Sequence, residues 1–580
     1  MGKAIYAVVG IDFGTTYSGV AWALEGNPED IEIISSWPGG GNRTTLKVPS
    51  VISYENKVSK WGYQVGPLSE VIRGSKLLLD EHQDQEYAPS LASKSLLVKY
   101  GKDAVQVSGD YLKNLVVHVK ATLERRFGET AKSMELIYVL TVPAVWSDKA
   151  KDATLRAAFL AGVDSSQISL VSEPEAAALH SLRTIQPNSI SKEDVLIVCD
   201  AGGGTVDLIS YKVRDIAPLN IEEVTEGTGN GAVCGSLLLD ERFERLLMRK
   251  VGLENWQCLR TQSKESALSY WRDMVKPNFG EESECDYLDV DHFIPLPGAE
   301  SQPDKHIEDG FVQIDSDEIE EIFEPIVLKV EELVRMQLER VADLGLKVKA
   351  IVLVGGFGSS RYLFQRLKTK NPSIPVMQPP NACEVSNSLL SCSSNLMSGS
   401  GAVSRGLEGN RVEARVSRRS YGVSANKKFD QSRHAKHAKY WSHTEQEWFA
   451  RDNMTWYIKK SARVSEHQPI KFDFYRTVFV NQADELRFTD ELFFCNDKSP
   501  PDIKFGYLTW MLIKSGVIPL CTLNSDLSKI PRQLFRKKTN LSGNEYYEIR
   551  YTLKVTPASA SLLFDLEFNG VSYGSVSSRY

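Results

Sequence analysis

The sequence predicts an α/β protein of about 410 residues followed by a smaller all-β domain. Nearly continuous apolar runs alternate with helical patterns as far as residue 410, which is typical of sheets covered by helices. A hairpin-like segment at residues 11–20 recurs at 198–209, which indicates two similar α/β halves. From residue 411 to 580, apolar residues alternate over short segments between turn signals, as in a β-sandwich.

Six apolar runs predict the strands of the first part. They are IYAVVGID, SGVAWAL, ELIYVLTVP, DVLIVCDAG, TVDLISYKV and AIVLVGG. Because most of them contain few polar residues, we expect strands that are buried on both faces. Helical patterns cover residues 146–163, with Ser147 or Asp148 as N-cap, and also 173–182 and 315–341. This alternation of strands and helices predicts the layered α/β fold.

Three further segments set the expected organisation. Residues 279–306 are acidic and contain prolines, which predicts a surface insertion, whereas the serine-rich residues 381–400 match no regular element. A charged stretch at 408–420 predicts the boundary between domains 1–410 and 411–580. The second domain is expected to hold about eight strands.

The composition argues against several functional classes. The 580 residues are 42% hydrophobic and carry a net charge of −7. This charge predicts no broad basic surface for binding nucleic acid. One basic cluster at 418–441 is more typical of a solvated loop than of a binding patch. No apolar run reaches membrane-spanning length, so we expect no membrane partner. Eight scattered cysteines and a start without a signal-peptide pattern predict a cytoplasmic location.

The two hairpin segments carry the residue types that phosphate binding requires. Each has an aspartate at a strand end, Asp12 or Asp200, followed by a glycine-bearing turn and a second strand. Glycines let backbone N–H groups approach an anion, and threonine hydroxyls are further donors. The turn residues are Gly14, Thr15 and Thr16 in the first hairpin and Gly202, Gly203, Gly204 and Thr205 in the second.

The aspartates would repel phosphate unless a cation lay between them. Mg²⁺ prefers carboxylates and water, and it bridges to phosphate oxygens. Two facing hairpins therefore predict a Mg-nucleotide clamped between two lobes, with Asp12 and Asp200 holding the metal through water. Either hairpin alone would be an ordinary turn, and the matched pair favours the site.

A third turn follows the strand AIVLVGG. It contains Gly355 and Gly356 and leads into a helix, whose N-terminus would attract phosphate. The turn matches neither the dinucleotide fingerprint nor the P-loop motif. By itself it is weak evidence for a nucleotide site.

In combination, these segments resemble the heat-shock-70 (DnaK-type) chaperone family, within the actin/sugar-kinase/heat-shock ATPase superfamily. The similar segments, in order, are GIDFGTTYSGVAW, LTVPAVWSDKAKDATLRAAFLAGV, LVSEPEAAAL, DAGGGTVDL, GTGNGAVCGSLLLDERF and VLVGGFGSSR. Apart from residues 279–306 and 381–400, the order and spacing of these segments agree with the family pattern over residues 5–408. The resemblance implies a duplicated actin-like ATPase fold, with two lobes around a nucleotide cleft, and a β-rich substrate-binding domain after it.

The resemblance also implies a role for each matching residue. The catalytic group would be Asp12, Glu173, Asp200 and Asp207, with Lys76 as candidate catalytic lysine. A solvated helix lysine is an equal alternative for Lys76. The nucleotide would bind to Gly14, Thr15, Thr16, Gly202, Gly203, Gly204, Thr205, Gly235, Ser236, Asp273, Lys276, Gly355, Gly356 and Arg361. The implied cofactors are ATP or ADP, Mg²⁺ and, close to Asp207, K⁺.

The chain also departs from the family pattern. Pro277 replaces an arginine that would stack on adenine, and residues 408–420 lack the leucine-rich linker that couples the domains. About 170 residues follow the ATPase part, enough for a β domain without a helical lid, which is similar to the lidless members.

The expected function is that of a slowly hydrolysing ATP-dependent chaperone or conformational switch. Its partners would be unfolded or specific polypeptides, together with a co-chaperone or exchange factor. The alternatives are a nucleotide-binding scaffold or sensor with little hydrolysis, or a small-molecule kinase of the same superfold. A filament-forming actin relative is disfavoured by the C-terminal β domain.

Overall fold

The structure is a computed structural model. It describes residues 6–27, 30–42, 44–55, 58–66, 69–80, 88–184, 190–225, 234–280, 291–378, 397–434, 436–482, 486–504 and 516–579. The chain divides into two compact units, Met1–Arg411 and Val412–Tyr580, and the predicted boundary at 410 lies next to this division. Among the described residues, no helix combines the length and apolar character needed to span a membrane.

The first unit opens with an α/β half. Its strands are β1 (Tyr6–Asp12), β2 (Tyr17–Leu24), β3 (Glu32–Ile33), β4 (Lys47–Pro49), β5 (Val51–Glu55), β6 (Val58–Trp61), β7 (Ile72–Arg73), β8 (Glu135–Val142) and β9 (Ile168–Ser172). Its helices are α1 (Ala88–Tyr100), α2 (Ala104–Phe127), α3 (Asp148–Leu160) and α4 (Glu173–Thr184). The main sheet has the order β3-β2-β1-β8-β9, with β4 paired to β2. In it β2 is antiparallel to β1, whereas β8 and β9 continue in parallel.

The second half repeats this arrangement. Its strands are β10 (Val195–Ala201), β11 (Val206–Ile216), β12 (Leu219–Glu223), β13 (His292–Pro295), β14 (Ile307–Glu308), β15 (Phe311–Ile314), β16 (Val348–Val354) and β17 (Val376–Met377). Its helices are α5 (Leu237–Val251), α6 (Leu253–Cys258), α7 (Thr261–Tyr270), α8 (Lys276–Asn278), α9 (Ser316–Asp343) and α10 (Arg361–Lys370). The next helix, α11 (Met397–Glu408), packs on the first half, where Val403 shares a core with Val8 and Ala176. The order β12-β11-β10-β16-β17 equals that of the first sheet, so the predicted duplication is confirmed.

The local patterns explain these elements. All six predicted strands form, and the residues of β1 and β10 are almost entirely buried. The Oγ atom of Ser147 accepts a hydrogen bond from the backbone N–H of Ala150, so Ser147 is the N-cap of α3. A capping box of Asp315 and Glu318 begins α9.

The acidic segment 279–306 differs from the surface insertion expected of it. Its described part contains β13, which joins a three-stranded sheet of order β13-β15-β14. Ile294 and Leu296 have no exposed surface, and they join Phe279 in the core of the second half. Acidic residues dominate the composition of this segment, so its short alternating strand was not predicted from the sequence. Residues 281–290 lie outside the described residues.

The serine-rich segment 381–400 also ends in regular structure. Its last four residues begin α11, although the sequence shows no regular element there. Most of this prediction, over residues 381–396, lies outside the described residues.

The second unit is built from antiparallel sheets. Its strands are β18 (Arg415–Val416), β19 (Ser420–Lys428), β20 (Lys439–Ser442), β21 (Glu447–Ile458), β22 (Arg463–Val464), β23 (Ile470–Phe479), β24 (Arg487–Cys495), β25 (Val517–Asp526), β26 (Arg536–Thr539), β27 (Glu545–Pro557), β28 (Leu562–Phe568), β29 (Val571–Ser575) and β30 (Ser577–Arg579). One sheet has the order β20-β21-β19-β24-β25-β30, and another β23-β27-β28-β29 with β26 on β27.

These two sheets share one hydrophobic core. Phe472 and Leu553 of one sheet and Leu492 and Leu523 of the other belong to a single buried cluster. The described residues therefore form the predicted sandwich, with more strands than the eight expected. Strands as short as β18 and β22 carry too few residues to show an alternating pattern.

Candidate functional site

The turns of the two hairpins face each other. A Cβ atom built on Gly203 would lie 2.6 Å from the Oγ1 atom of Thr16, and one on Gly204 would lie 2.9 Å from the Oγ1 atom of Thr15. Real Cβ atoms do not approach other atoms this closely, so a larger residue at either position would have to displace the facing threonine side chain. The structure thus brings together two turns that the sequence separates by almost two hundred residues.

The second turn is held by hydrogen bonds of its own backbone. The N–H of Gly202 donates to the carbonyl of Thr205 at 2.9 Å, which closes the turn. The Thr205 hydroxyl donates to the carboxylate of Asp207 at 3.3 Å. The predicted residues Gly235 and Ser236 precede α5, and their N–H groups donate to the carbonyls of Gly204 and Gly202, respectively. Through their backbone, these two residues brace the second turn.

The third turn lies against the end of β10. Gly355 has a φ of +88°, and a Cβ atom there would lie 2.4 Å from both the carbonyl oxygen of Ala201 and the Oδ1 atom of Asp200. The N–H groups of Phe357 and Gly358 donate to the same Ala201 carbonyl, at 2.8 and 2.9 Å. The third turn and the Asp200 carboxylate are therefore in direct proximity.

Lys76 is buried beside the first hairpin. Only 2% of its surface is exposed, and its ammonium group pairs with Glu173. The same group lies 5.7 Å from the ring centre of Phe13 and 5.4 Å from that of Trp146. Aromatic faces attract a cation, so the side chain is held from three sides. The alternative of a solvated helix lysine is wrong.

The predicted carboxylates lie close enough to influence one another. Asp12, Asp200 and Asp207 are buried. Burial raises the pKa of Asp200 well above its ordinary range, and the charges of Glu173 and Asp207 raise it further. Burial also raises the pKa of Glu173, and the charge of Lys76 opposes that shift. Cations are needed to keep all of these groups ionised together.

Asp12 has two partners that the sequence did not reveal. Its carboxylate accepts hydrogen bonds from the Nζ of Lys47 at 3.0 Å and from the Oγ1 of Thr141 at 3.2 Å. Both residues lie far from Asp12 in the chain; Thr141 stands in the quoted segment LTVPAV, whereas Lys47 belongs to none of the quoted motifs. The pairing of β4 with β2 is the feature that brings Lys47 close.

The donor set fits a divalent cation. Around the two hairpins, the four carboxylates of Asp12, Glu173, Asp200 and Asp207 face the ammonium groups of Lys47 and Lys76, so full ionisation leaves two negative charges to balance. Carboxylate oxygens together with water are the ligands that Mg²⁺ prefers. Within the part of the chain that the structure describes, no three His, Cys, Asp or Glu side chains converge as a metal-binding group. Attachment of Mg²⁺ through water to Asp12 and Asp200 stays a prediction.

The residues predicted for the adenosine end lie on two helical segments. A π-helical turn, Trp271–Val275, joins α7 to α8 and carries the exposed Asp273. The Lys276 ammonium donates to Asp240 of α5 at 2.7 Å. Arg361 is half-buried at the start of α10.

Pro277 is exposed and is the second residue of α8, two positions after the end of the π-helical turn. Proline has no backbone N–H and no side-chain donor. This position can therefore not supply the cationic stacking group that the resemblance implies there.

One contact links the two halves of the first unit beside this segment. The Glu265 carboxylate of α7 accepts hydrogen bonds from Arg73 of β7 at 3.4 Å and from Arg272 at 2.5 Å. Charges of Asp273 and Asp240 also help raise the pKa of Tyr17 in the first hairpin, after the larger effect of burial. No motif marked Arg73 or Glu265, because the pair forms only when the halves fold together.

Comparison with known families agrees with this geometry. Residues 8–362 match the family model described as Hsp70 protein, which is more than half of the chain. The chain belongs to the Hsp70 family. Its fold is therefore the duplicated actin-like ATPase fold that the resemblance implied. Within the second unit, residues 415–498 match a model described as a domain of unknown function, DUF8568.

Several curated proteins are similar to this Hsp70-family chain. The heat shock 70 kDa protein 12A of Mus musculus is 23% identical over 454 residues, which cover 63% of this chain and 66% of that protein. A heat shock protein homolog of Encephalitozoon cuniculi is 30% identical over 45% of this chain and 42% of its own length. The chaperone protein DnaK of Buchnera aphidicola is 27% identical over 61% of this chain and 54% of its own length. The chain thus spans about two-thirds or less of each of these relatives.

Proposed function

We propose that this Hsp70-family chain binds ATP between its two hairpins and hydrolyses it slowly, as a conformational switch. The observation that carries the proposal is the approach of Gly203 to Thr16, with Lys76 held beside them. Backbone N–H groups and threonine hydroxyls at such a junction bind phosphate oxygens. The two halves that meet there could then respond to the nucleotide.

The chemistry follows from the residues that surround this junction. Transfer of a phosphoryl group to water depends mainly on positioning and on neutralising charge. The Lys76 ammonium supplies a fixed positive charge, since Phe13, Trp146 and Glu173 prevent it from moving. Glu173, whose pKa burial raises, could accept a proton from the attacking water. Mg²⁺, when bound, would add charge neutralisation at the phosphates.

A calorimetric titration of the full chain with ATP and ADP in Mg²⁺ tests nucleotide binding. A single-turnover assay then measures hydrolysis. We expect binding together with slow hydrolysis that Asp200→Asn lowers by roughly a hundredfold or more. Failure of ATP and ADP to bind would refute the proposal, and unchanged hydrolysis in Asp200→Asn would refute the site.

A second candidate is a nucleotide-binding scaffold with little hydrolysis. Two observations favour it: Pro277 provides no stacking group, and Asp240 already engages the Lys276 ammonium. Binding of ATP without turnover in the same single-turnover assay would identify this class.

We further propose that the second unit contacts polypeptides, as in other Hsp70-family proteins, with a co-chaperone or exchange factor acting on the first. The β-sandwich core supports this proposal because it is a rigid platform for loops. Stimulation of ATP turnover by an unfolded polypeptide would support the chaperone function. Unchanged turnover across a peptide library would oppose it.

A further inference from the structure

Three strands of the first half place an aspartate, a glycine and a lysine in one row. Asp12 of β1 lies opposite Gly19 of β2, and Gly19 lies opposite Lys47 of β4. Residues opposite each other on neighbouring strands point to the same face of a sheet. Gly19 has no side chain, so the Lys47 side chain crosses over it and reaches the Asp12 carboxylate at 3.0 Å.

The strand that carries Lys47 is tied to the first hairpin. The hydroxyl of Tyr63 donates to the Lys47 carbonyl at 3.1 Å, and the next residue, Val48, is fully buried. The backbone N–H of Ser50 donates to the carbonyl of Thr16 at 2.8 Å. The backbone of the first hairpin turn therefore helps to fix the position of Lys47.

The corresponding row of the second half has a different charge. There Asp200 of β10 lies opposite Asp207 of β11, so a second carboxylate stands where the first half has Gly19. The first half has an ammonium beyond its glycine, and Lys47 also opposes the raised pKa values of Glu173 and Asp200. The first hairpin thus has a lysine beside its aspartate, whereas the second has an additional carboxylate. The second hairpin would therefore need more added positive charge to bind a phosphate.

We propose that Lys47 is a positioning residue that serves as a tethered cation of the nucleotide site. It neutralises Asp12, so that nucleotide binding depends less on Mg²⁺ than the carboxylates alone would require. This inference rests on the proposed function, since it presupposes that nucleotide binds between the hairpins. It concerns affinity in the presence and absence of the metal, not the rate of hydrolysis.

Calorimetric titration of the full chain with ADP, once in Mg²⁺ and once in EDTA, gives two dissociation constants. The quantity compared is the dissociation constant in EDTA divided by that in Mg²⁺. We expect this ratio to be at least about tenfold larger for Lys47→Met than for the natural chain, because a cation next to a carboxylate is lost. Lys47→Arg keeps the charge, and its ratio should stay within about threefold of the natural value. Lys102→Met removes a remote lysine that pairs with Asp110, and it serves as the matched control.

The ratio separates this role from a structural one. If Lys47 only stabilised the fold, Lys47→Met would weaken binding equally in Mg²⁺ and EDTA, and an unchanged ratio would overturn the proposal. A smaller ratio would also overturn it, since Lys47 would then compete with the metal. If the natural chain binds no ADP in Mg²⁺, the proposed function fails and this inference fails with it.

Discussion

Lys76 forms an ion pair with Glu173, a residue 97 positions away in the chain. The lysine is buried, and the rings of Phe13 and Trp146 flank its ammonium group. A buried cation next to a carboxylate is costly to maintain unless its partners are fixed. The burial and the fixed partners of Lys76 therefore support a role in the site more strongly than any single glycine of the turns does.

We expect Lys76→Met to reduce single-turnover hydrolysis of ATP by roughly a hundredfold or more, with ATP affinity changed less than about fivefold. The reason is that the lost charge acts on the phosphoryl group during transfer. Lys76→Met also leaves Glu173 without its cation, so Lys76→Met combined with Glu173→Gln is the control for stability. Hydrolysis at the natural rate in either variant would show that Lys76 is structural.

The third turn offers a matched pair of glycines. Gly355→Ala should lower the free energy of unfolding by about 2–4 kcal/mol, since its Cβ would collide with Ala201 and Asp200 at a φ of +88°. Gly356→Ala meets no atom within 4 Å and should change it by less than about 0.5 kcal/mol. Urea unfolding followed by tryptophan fluorescence measures both. Equal effects of the two substitutions would contradict the observed geometry.

Pro277 provides a test of the adenosine end. Pro277→Arg should tighten ADP binding about fivefold, because an arginine stacked on adenine contributes about 1 kcal/mol. Asn278→Arg adds the same charge one position later on the exposed end of α8, and it is the control for non-specific attraction. Calorimetry measures both affinities. Equal tightening by both variants would mean that charge alone matters and stacking does not.

His180 predicts how acid affects the first unit. Burial lowers the pKa of this histidine in α4 from 6.5 to about 4, so the folded state favours the neutral ring. The unfolded chain takes up the proton below pH 6.5, and stability is therefore complete above pH 6.5 and lost as pH falls towards 4. The contribution is at most about 3 kcal/mol.

The measurement for His180 is urea unfolding between pH 7 and pH 4.5. His180→Gln should show a shallower decline of stability over this range than the natural chain. Parallel declines would indicate that other groups cause the loss of stability. A steeper decline in the variant would contradict the prediction, because protonation of His180 would then stabilise the folded state.

Much of the fold follows from local patterns. The six apolar runs predict their strands because a strand buried on both faces must be apolar throughout. Ser147 and Asp315 mark helix starts because an N-cap needs an acceptor side chain at one position. The strand at His292–Pro295 was missed because acidic neighbours dominate the composition of its segment.

The sequence by itself determined the duplicated α/β architecture, the family and the two hairpin turns, since each depends on residues that are neighbours in the chain. Only the tertiary structure decided which groups meet: Gly203 with Thr16, Lys76 with Glu173, and Lys47 with Asp12. Such contacts join residues far apart in sequence, and their distances depend on sheet register and on how the halves pack. The charge balance of the site is therefore a property of the fold, because its ion pairs join elements that are far apart in the chain.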